Sequence, residues 1–285
     1  MTDNTAFEVA KPVPARASGE GNSPQASWVG RALRKFNIEG TLGLLALLVL
    51  WQIASGHYPP MFFPPLQKIW ATAVQTFETP ATLSAIATTY VRIIVSLVAS
   101  FFLASALGVG AALNRRIERF LVPLVELKQG IPAVCWIIFA ILWFRDMETR
   151  IAFVVVTAAL PSFFYQARDA VRSIPRDLWD MVRALRPTLW QTLRILVVPS
   201  TLPSLLTVWR VNIGNGTRVT IMAELLGGIT GIGHQLRLSQ EMFRMDQVIV
   251  WTFALVAFVV VGNLVLSAIE KRVLKWRPKN EISNG

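Results

Sequence analysis

The sequence predicts an all-α, polytopic membrane protein of about six transmembrane helices, and three observations carry this. Of 285 residues, 53% are apolar and only 16% charged, with a mean hydropathy of +0.49, against roughly 45–50% and 25% in an average soluble domain. Runs with few or no charges, long enough or nearly so to cross a bilayer, recur along the chain, and in lipid only a helix closes its backbone hydrogen bonds within one segment. The 28 Lys and Arg behind the net charge of +11 gather between those runs, where cytoplasmic loops collect them. That clustering argues against nucleic acid as a partner, which needs a basic face on a folded domain.

Residues 1–39, with Pro12, Pro14, Gly19, Gly21 and Pro24 and few large apolar side chains, cannot bury enough surface to offset their ordering entropy. They are expected to form a disordered cytoplasmic tail with a short basic helix near 31–35. From 40 to 58 no Lys, Arg, Asp or Glu occurs, so this stretch reads as the first, uncleaved span. Pro59, Pro60, Pro64 and Pro65 break the next segment. Helical periodicity then returns through Leu66, Ile69, Trp70, Val74 and Phe77, as in an interfacial helix with its tryptophan at the lipid headgroups. The domain reading is thus 40–78 for the first span and interfacial helix, 79–277 for the main membrane domain, and 278–285 for a C-terminal tail. Further spans are read at 86–113, 131–144, 151–165, 197–226 and 248–269. The third and fourth are short for a bilayer, to be met by extension into their flanks or by tilt and packing against neighbours, and Pro203, Gly214 and Gly216 make a bend or split in the fifth an expectation.

With the N-terminus inside, the tail, the 115–128 segment, the 168–194 loop and the C-terminal segment hold twenty cations, and the outside segments hold five. The imbalance places both termini in the cytoplasm. Cys135 stands alone in an apolar run and reads as a small buried residue. No G-x-x-x-x-G-K-[ST], H-E-x-x-H or G-x-S-x-G pattern is present. No catalytic residue, metal site or cofactor is therefore read in this chain.

The loop at about 168–194 is long, basic and neither Gly- nor Ser-rich. Its apolar residues Leu178, Trp179, Val182, Leu185, Leu189 and Leu193 recur at helical spacing. Pro175 opens a helix, Pro187 interrupts it and Pro199 marks entry to the next span. Such a loop suggests a docking surface on the basic face.

This loop resembles that of the inner-membrane permease subunits of binding-protein-dependent ABC importers. Their pattern is E-A-A, three residues, Gly, nine residues, then I-x-L-P. Asp180 takes the Glu position, Met181 and Val182 the alanines, Arg186 the glycine, and Leu196, Val198 and Pro199 the close. The filling around Trp190, Gln191, Thr192 and Arg194 is similar too. Arg186-Pro187 departs from the pattern: the family's Gly adopts positive φ cheaply, so Arg186 must tolerate that geometry or the turn must differ, with Pro187 starting the second helix. The stretches TTYVRIIVSLVASFFLASALGVGAAL, GIPAVCWIIFAILWF and AELLGGITGIGHQL resemble the branch that serves nitrate, sulfonate, taurine and bicarbonate, with thiamine-precursor permeases sharing much of the texture.

The resemblance implies a type I ABC importer permease fold in the bacterial inner membrane, and a transport subunit rather than an enzyme. Two permease subunits, expected to be identical, would form the pathway. Two ATPase subunits, carrying ATP-Mg, would bind the loops, and a periplasmic or lipid-anchored binding protein would deliver a small ion. The coupling residues it implies are Arg176, Asp177, Trp179, Asp180, Met181, Val182, Arg183, Leu185, Arg186, Pro187 and Trp190, on a loop helix running roughly from 176 to 190.

Four charges remain within or near spans: Arg92, Arg210, Arg218 and Glu224. At the bilayer centre each costs about 2.5–3.5 kcal/mol on insertion scales, so they should face the bundle interior, water or one another. Arg92, Arg210 and Arg218 are candidates for anion contact or for pairing, and Glu224 is expected to pair with a basic neighbour. Asn212, Asn215, Thr217 and Thr220 add polar lining. A self-contained carrier would need coupling carboxylates, and the interior holds almost none beyond Glu224.

Overall fold

The computed structural model of the chain describes residues 38–274. The basic helix expected at 31–35, most of the expected tail and the segment 278–285 lie outside the described residues. Every regular element among the described residues is helical. α1 (Ile38–His57) has 20 residues, about 30 Å at 1.5 Å per residue, and matches the first span. Through Trp51 it belongs to one unit, and everything from Gln52 forms a second.

The second unit opens with α2 (Leu66–Phe77), the expected interfacial helix. It buries Ile69, Thr72 and Thr76 and leaves Trp70 74% exposed. Thr72 donates to the buried carboxylate of Asp246 at 2.8 Å, in the first turn of α11 (Met245–Val273). α3 (Pro80–Leu113) and α6 (Met147–Arg172) extend the second and fourth spans to 34 and 26 residues. Both start early for local reasons: Pro80 presets the first turn, and the Asp146 carboxylate accepts from the Thr149 amide at 2.8 Å. The two pack closely because α3 presents small residues, Ser100, Ala104, Gly108 and Ala111, as its buried stripe. A Cβ on Gly108 would lie 2.4 Å from the Phe164 carbonyl oxygen. Phe163, Phe164, Ile93, Leu97, Val154 and Val155 fill the core around this crossing.

α6 runs from Met147 to Arg172, and its far end, joined by Arg115, Arg116, Arg119, Arg176, Arg183 and Arg186, is called here the arginine-rich end. The expected third span, 131–144, is short and joins a helix in its N-terminal flank. It is α5 (Ala133–Trp143), 11 residues or about 16 Å, which is half a bilayer. It follows α4 (Arg115–Gln129) across a 98° bend, where Gly130 and Pro132 interrupt the helix. Glu118 of α4 pairs with Arg168 and Arg172 at the arginine-rich end of α6. Ala140 and Ile141 of α5 lie with Met147, Ile151 and Gly227 at the opposite end. The pair therefore traverses the bundle as one broken span. Cys135, expected to be buried, is only partly so.

α7 (Arg176–Ala184) and α8 (Leu189–Thr192) form the basic loop, and a π-helical turn (Leu193–Val197) leads into α9 (Val198–Gly227). The expected break in α9 does not occur: its 30 residues form one helix through Pro203, Gly214 and Gly216. These glycines serve packing instead. A Cβ at 216 would come within 3.0 Å of Leu97 of α3, and the Arg218 guanidinium folds back over Gly214. α10 (Ile232–Glu241) and α11 complete the unit. The exposed side of α11 is Phe253, Val256, Val260, Leu264 and Val265, a surface suited to lipid.

Candidate functional site

Three features stand out: the loop at the arginine-rich end, a charged cluster at the opposite end, and the accessible side of α9 between them.

In the loop, Pro175 precedes α7 and fixes an extended entry. Val182 is buried with Ile174 and Leu196, and Trp179 packs against them. The expected apolar periodicity is thus divided between two faces. Met181, Leu185, Leu189 and Trp190 are 60%, 79%, 81% and 71% exposed, and a grouped exposed apolar surface of this kind marks an interaction site. Arg176, Asp177, Asp180, Arg183 and Arg186 are exposed around them. Asp180 makes only a loose 3.8 Å pair with Arg183, both about three-quarters exposed, which leaves it available to a partner.

The loop helix does not run unbroken from 176 to 190. It stops at Ala184, and Arg186 adopts φ +49°, the left-handed turn that glycine takes most cheaply. Its amide donates to the Arg183 carbonyl at 2.9 Å. Pro187 does not begin the next helix either. Thr188 caps it, accepting from the Gln191 amide at 3.3 Å while the Gln191 side chain accepts from the Thr188 amide at 2.8 Å. This reciprocal capping box satisfies two orphan donors at once, so Thr188 rather than Pro187 sets the start.

At the opposite end Glu224 of α9 is fully buried and meets Arg92 of α3 at 2.7 Å. The basic neighbour expected for Glu224 is Arg92. Arg92 also holds Glu148, at the start of α6, through Nη2 at 2.5 Å and Nε at 2.8 Å. It donates further to the Thr230 carbonyl at 3.1 Å and hydroxyl at 2.9 Å. Glu224 in turn accepts from the Thr89 hydroxyl at 2.9 Å and the Gly233 amide at 2.8 Å, and Thr89 accepts from the Ile232 amide at 2.8 Å. Four helices, α3, α6, α9 and α10, and the 228–231 loop are tied together around the Arg92–Glu224 pair. Gly231 has φ +103°, and a Cβ there would sit 2.4 Å from a Glu224 oxygen, which accounts for glycine at that position.

The remaining polar candidates separate by accessibility. Asn212 is buried, donating to the Val208 carbonyl at 3.0 Å and accepting from the Ser162 hydroxyl at 2.8 Å. Thr217 is buried and bonds back to Ile213 at 2.7 Å, and the Thr220 hydroxyl is buried without a partner. Arg210 pairs with Glu270 of α11 at 2.6 Å. Asn215 is half-buried, and Arg218 is exposed and makes no ion pair among the described residues. Arg218 lies nine residues from the end of α9, about 14 Å in. At that depth an exposed cation requires water or another chain rather than lipid.

Sequence reasoning missed Thr89, Glu148, Thr230 and Gly233, the other members of the cluster. Their pairings are non-local, and only the glycine-rich run after Glu224 signalled a backbone held close to something.

Residues 104–276 match the family described as the binding-protein-dependent transport system inner membrane component. The taurine transport system permease protein TauC of Escherichia coli (strain K12) is 25% identical over 245 residues, covering 83% of this chain and 88% of that protein. The formylaminopyrimidine transport permease protein ThiX of Halalkalibacterium halodurans is 28% identical over 250 residues, covering 85% and 97%. A chain of the MetNI methionine ABC transporter, solved in inward-facing conformations, superposes with a TM-score of 0.56 at 16% identity over 66% of this chain and 96% of that one. The fold is the one shared with that importer.

Proposed function

Because the chain belongs to the binding-protein-dependent transport system inner membrane component family, we propose that it is the permease subunit of an ATP-driven importer of a small anion. It is a multi-pass transport subunit, not an enzyme. On this reading it lies in the bacterial inner membrane with the arginine-rich end and both termini in the cytoplasm, as the twenty-to-five partition of cations supports. A partner ATPase carrying ATP-Mg docks on α7 and α8. A second, identical permease completes the pathway, and an external binding protein delivers the solute.

One observation carries the proposal: the exposed patch of Met181, Leu185, Leu189 and Trp190, held by the buried Val182 with the partly buried Trp179 beside it and ringed by charges. An amphipathic helix offering an apolar face suits a groove on a partner. Arg218, about two-thirds along α9 and without an ion pair among the described residues, supports an anionic solute, and the taurine transport permease is one relative in keeping with it. Glu224, Arg92 and Arg210 act in this scheme as structural ion pairs, and Asn215 with Arg218 faces the pathway.

The test is copurification of the cognate ATPase with the tagged permease. Leu185→Asp and Trp190→Asp are expected to abolish capture and Asp180→Lys to weaken it, with membrane insertion intact. Unchanged capture by all three variants overturns the docking assignment. Uptake of solute into vesicles by this chain without any ATPase overturns the ATP-driven reading.

A further inference from the structure

The 228–231 loop, tied through Thr230 to the Arg92–Glu224 pair, is also held by two side chains of α10. His234 and Arg237, one helical turn apart, converge on a single acceptor, the Gly228 carbonyl. Arg237 Nη2 donates to that oxygen at 3.3 Å, His234 Nδ1 lies 3.2 Å from it, and Nη2 and Nδ1 stand 3.1 Å apart. A guanidinium only donates, whereas a ring nitrogen accepts when it carries no hydrogen. The triangle therefore closes with a neutral imidazole whose hydrogen is on Nε2, and Nη2 gives one N–H to each acceptor.

Protonation of the imidazole breaks this arrangement. Nδ1 becomes a donor and faces a donor of a second cation across 3.1 Å. Within reach of the new N–H is the Gly228 carbonyl, which Arg237 already occupies. Arg237 has another partner at hand. Its Nε is buried without a hydrogen-bond partner, and the carboxylate of Glu241, one turn further along α10, lies 3.8 Å away. The imidazolium then takes the carbonyl, and the guanidinium moves to Glu241. Helices α3, α9 and α11 pack against α10, and the charges they bring to this end are engaged elsewhere. Arg92 holds Glu224 and Glu148, and Asp246 holds Thr72 and, more loosely, Arg244. Among the described residues none of these bonds to the imidazole, so Arg237 is the charge that its protonation meets.

We propose that His234 and Arg237 form a proton-operated latch on the 228–231 loop. Neutral His234 keeps Arg237 on the Gly228 carbonyl; protonation releases it and loosens the loop that clamps the Arg92–Glu224 pair. Gly228 transmits the change because its amide closes α9 on the Glu224 carbonyl at 2.8 Å, and the Gly233 amide holds the Glu224 carboxylate at 2.8 Å. His234 and Arg237 are part-buried and Glu241 is exposed, so solvent reaches the latch. Imidazoles change charge near neutral pH. With this end outside, as in the proposed orientation, the latch responds to external acidity.

The test is amide hydrogen–deuterium exchange of the full-length permease in lipid nanodiscs at about pH 8 and about pH 5, read as protection factors so that the intrinsic pH dependence of exchange drops out. In the wild type, peptides covering the 228–231 loop and the start of α10 should lose protection about two- to tenfold at the acid pH, the equivalent of one neutral hydrogen bond. His234→Asn keeps an oxygen acceptor and does not titrate, so its protection should agree within about twofold at the two pH values. Arg237→Met leaves no cation for the imidazolium to displace and should also abolish the dependence. Equal wild-type protection at both pH values, or a dependence that persists in either variant, overturns the proposal; persistence in His234→Asn assigns the effect to a carboxylate such as Glu224 or Asp246. The readout needs neither ATPase nor solute, so its failure leaves the importer reading untouched.

Discussion

Removing the buried Glu224 carboxylate should destabilise the fold far more than removing the exposed Glu148 carboxylate that shares the same arginine. Glu224→Ala strips Arg92 of its buried partner at 2.7 Å and leaves the Thr89 hydroxyl and Gly233 amide without the acceptor they meet at 2.9 Å and 2.8 Å. Breaking a buried pair from one side costs about 3–5 kcal/mol, and each orphaned donor adds to that within the same range. Glu224→Gln keeps an acceptor and the volume, so about 1.5–3 kcal/mol is expected. Glu148→Ala provides the contrast. Its contact with Arg92 is the shorter, at 2.5 Å, yet Glu148 is 59% exposed, and exposed pairs contribute about 1 kcal/mol or less. Unfolding in micelles, followed by the emission of the ten tryptophans, gives the comparison. At about 2–4 °C per kcal/mol for a chain of this size class, Glu224→Ala should lower Tm by roughly 6–20 °C and Glu148→Ala by about 4 °C or less. In the cycle with Arg92→Met, the double variant Arg92→Met/Glu224→Leu should lose about 2 kcal/mol less than the sum of the singles. Equal losses for Glu148→Ala and Glu224→Ala, or additive behaviour in the cycle, would refute the reasoning that burial rather than distance sets the strength of this cluster.

Replacing Arg186 by Gly removes a left-handed strain of about 1–2 kcal/mol at a backbone-entropy cost of about 0.5–1 kcal/mol; the expected result is a gain of up to about 1 kcal/mol in loop stability by amide hydrogen exchange, with Arg186→Val moving the other way. Gly108→Val forces α3 off the Phe164 carbonyl, 2.4 Å from the new Cβ, and should abolish monodisperse protein on gel filtration. Gly110→Ala meets nothing within 4 Å and should raise Tm slightly, as helix propensity improves by about 0.8–1 kcal/mol. Thr72→Val leaves the buried Asp246 without its 2.8 Å donor and should cost about 1–3 kcal/mol, read as a lower Tm.

The sequence made the spans legible because charge is excluded over whole segments, and a span is a property of one segment alone. It made the loop legible for the same reason: prolines at 175, 187 and 199 and the apolar spacing between them are local. Arg186 was readable as the residue that must take a glycine's conformation, and φ +49° is what the turn imposes on it. The third span was legible only as a short uncharged run, 131–144, with an extension into its flanks left open. α4 contributes the other half despite its charges, since Glu118 is met by Arg168 and Arg172 and Lys128 faces a cavity. The break foreseen in α9 failed on a comparable point: a glycine in a helix signals either weakness or close approach, and only the neighbour, Leu97 in the case of Gly216, decides which. The Arg92–Glu224 pair joins residues 132 apart, and no local pattern specifies a partner at that separation.

The continuity of α9 bears on how the two ends can influence one another. One end of the helix leaves the π turn behind the proposed docking patch, and the other carries Glu224 and the clamp on the 228–231 loop. A break at Gly214 or Gly216 would have let each end move on its own. An unbroken helix of 30 residues, about 45 Å, joins the two ends, and Asn215 and Arg218 lie on it between them. On the proposed reading, displacement of α7 and α8 by an ATPase therefore reaches the accessible cations and the opposite-end cluster in a single step. The compliant element is the junction of α8 with α9. There the π turn spaces the Val198 amide onto the Leu193 carbonyl, and Pro199 removes the next donor.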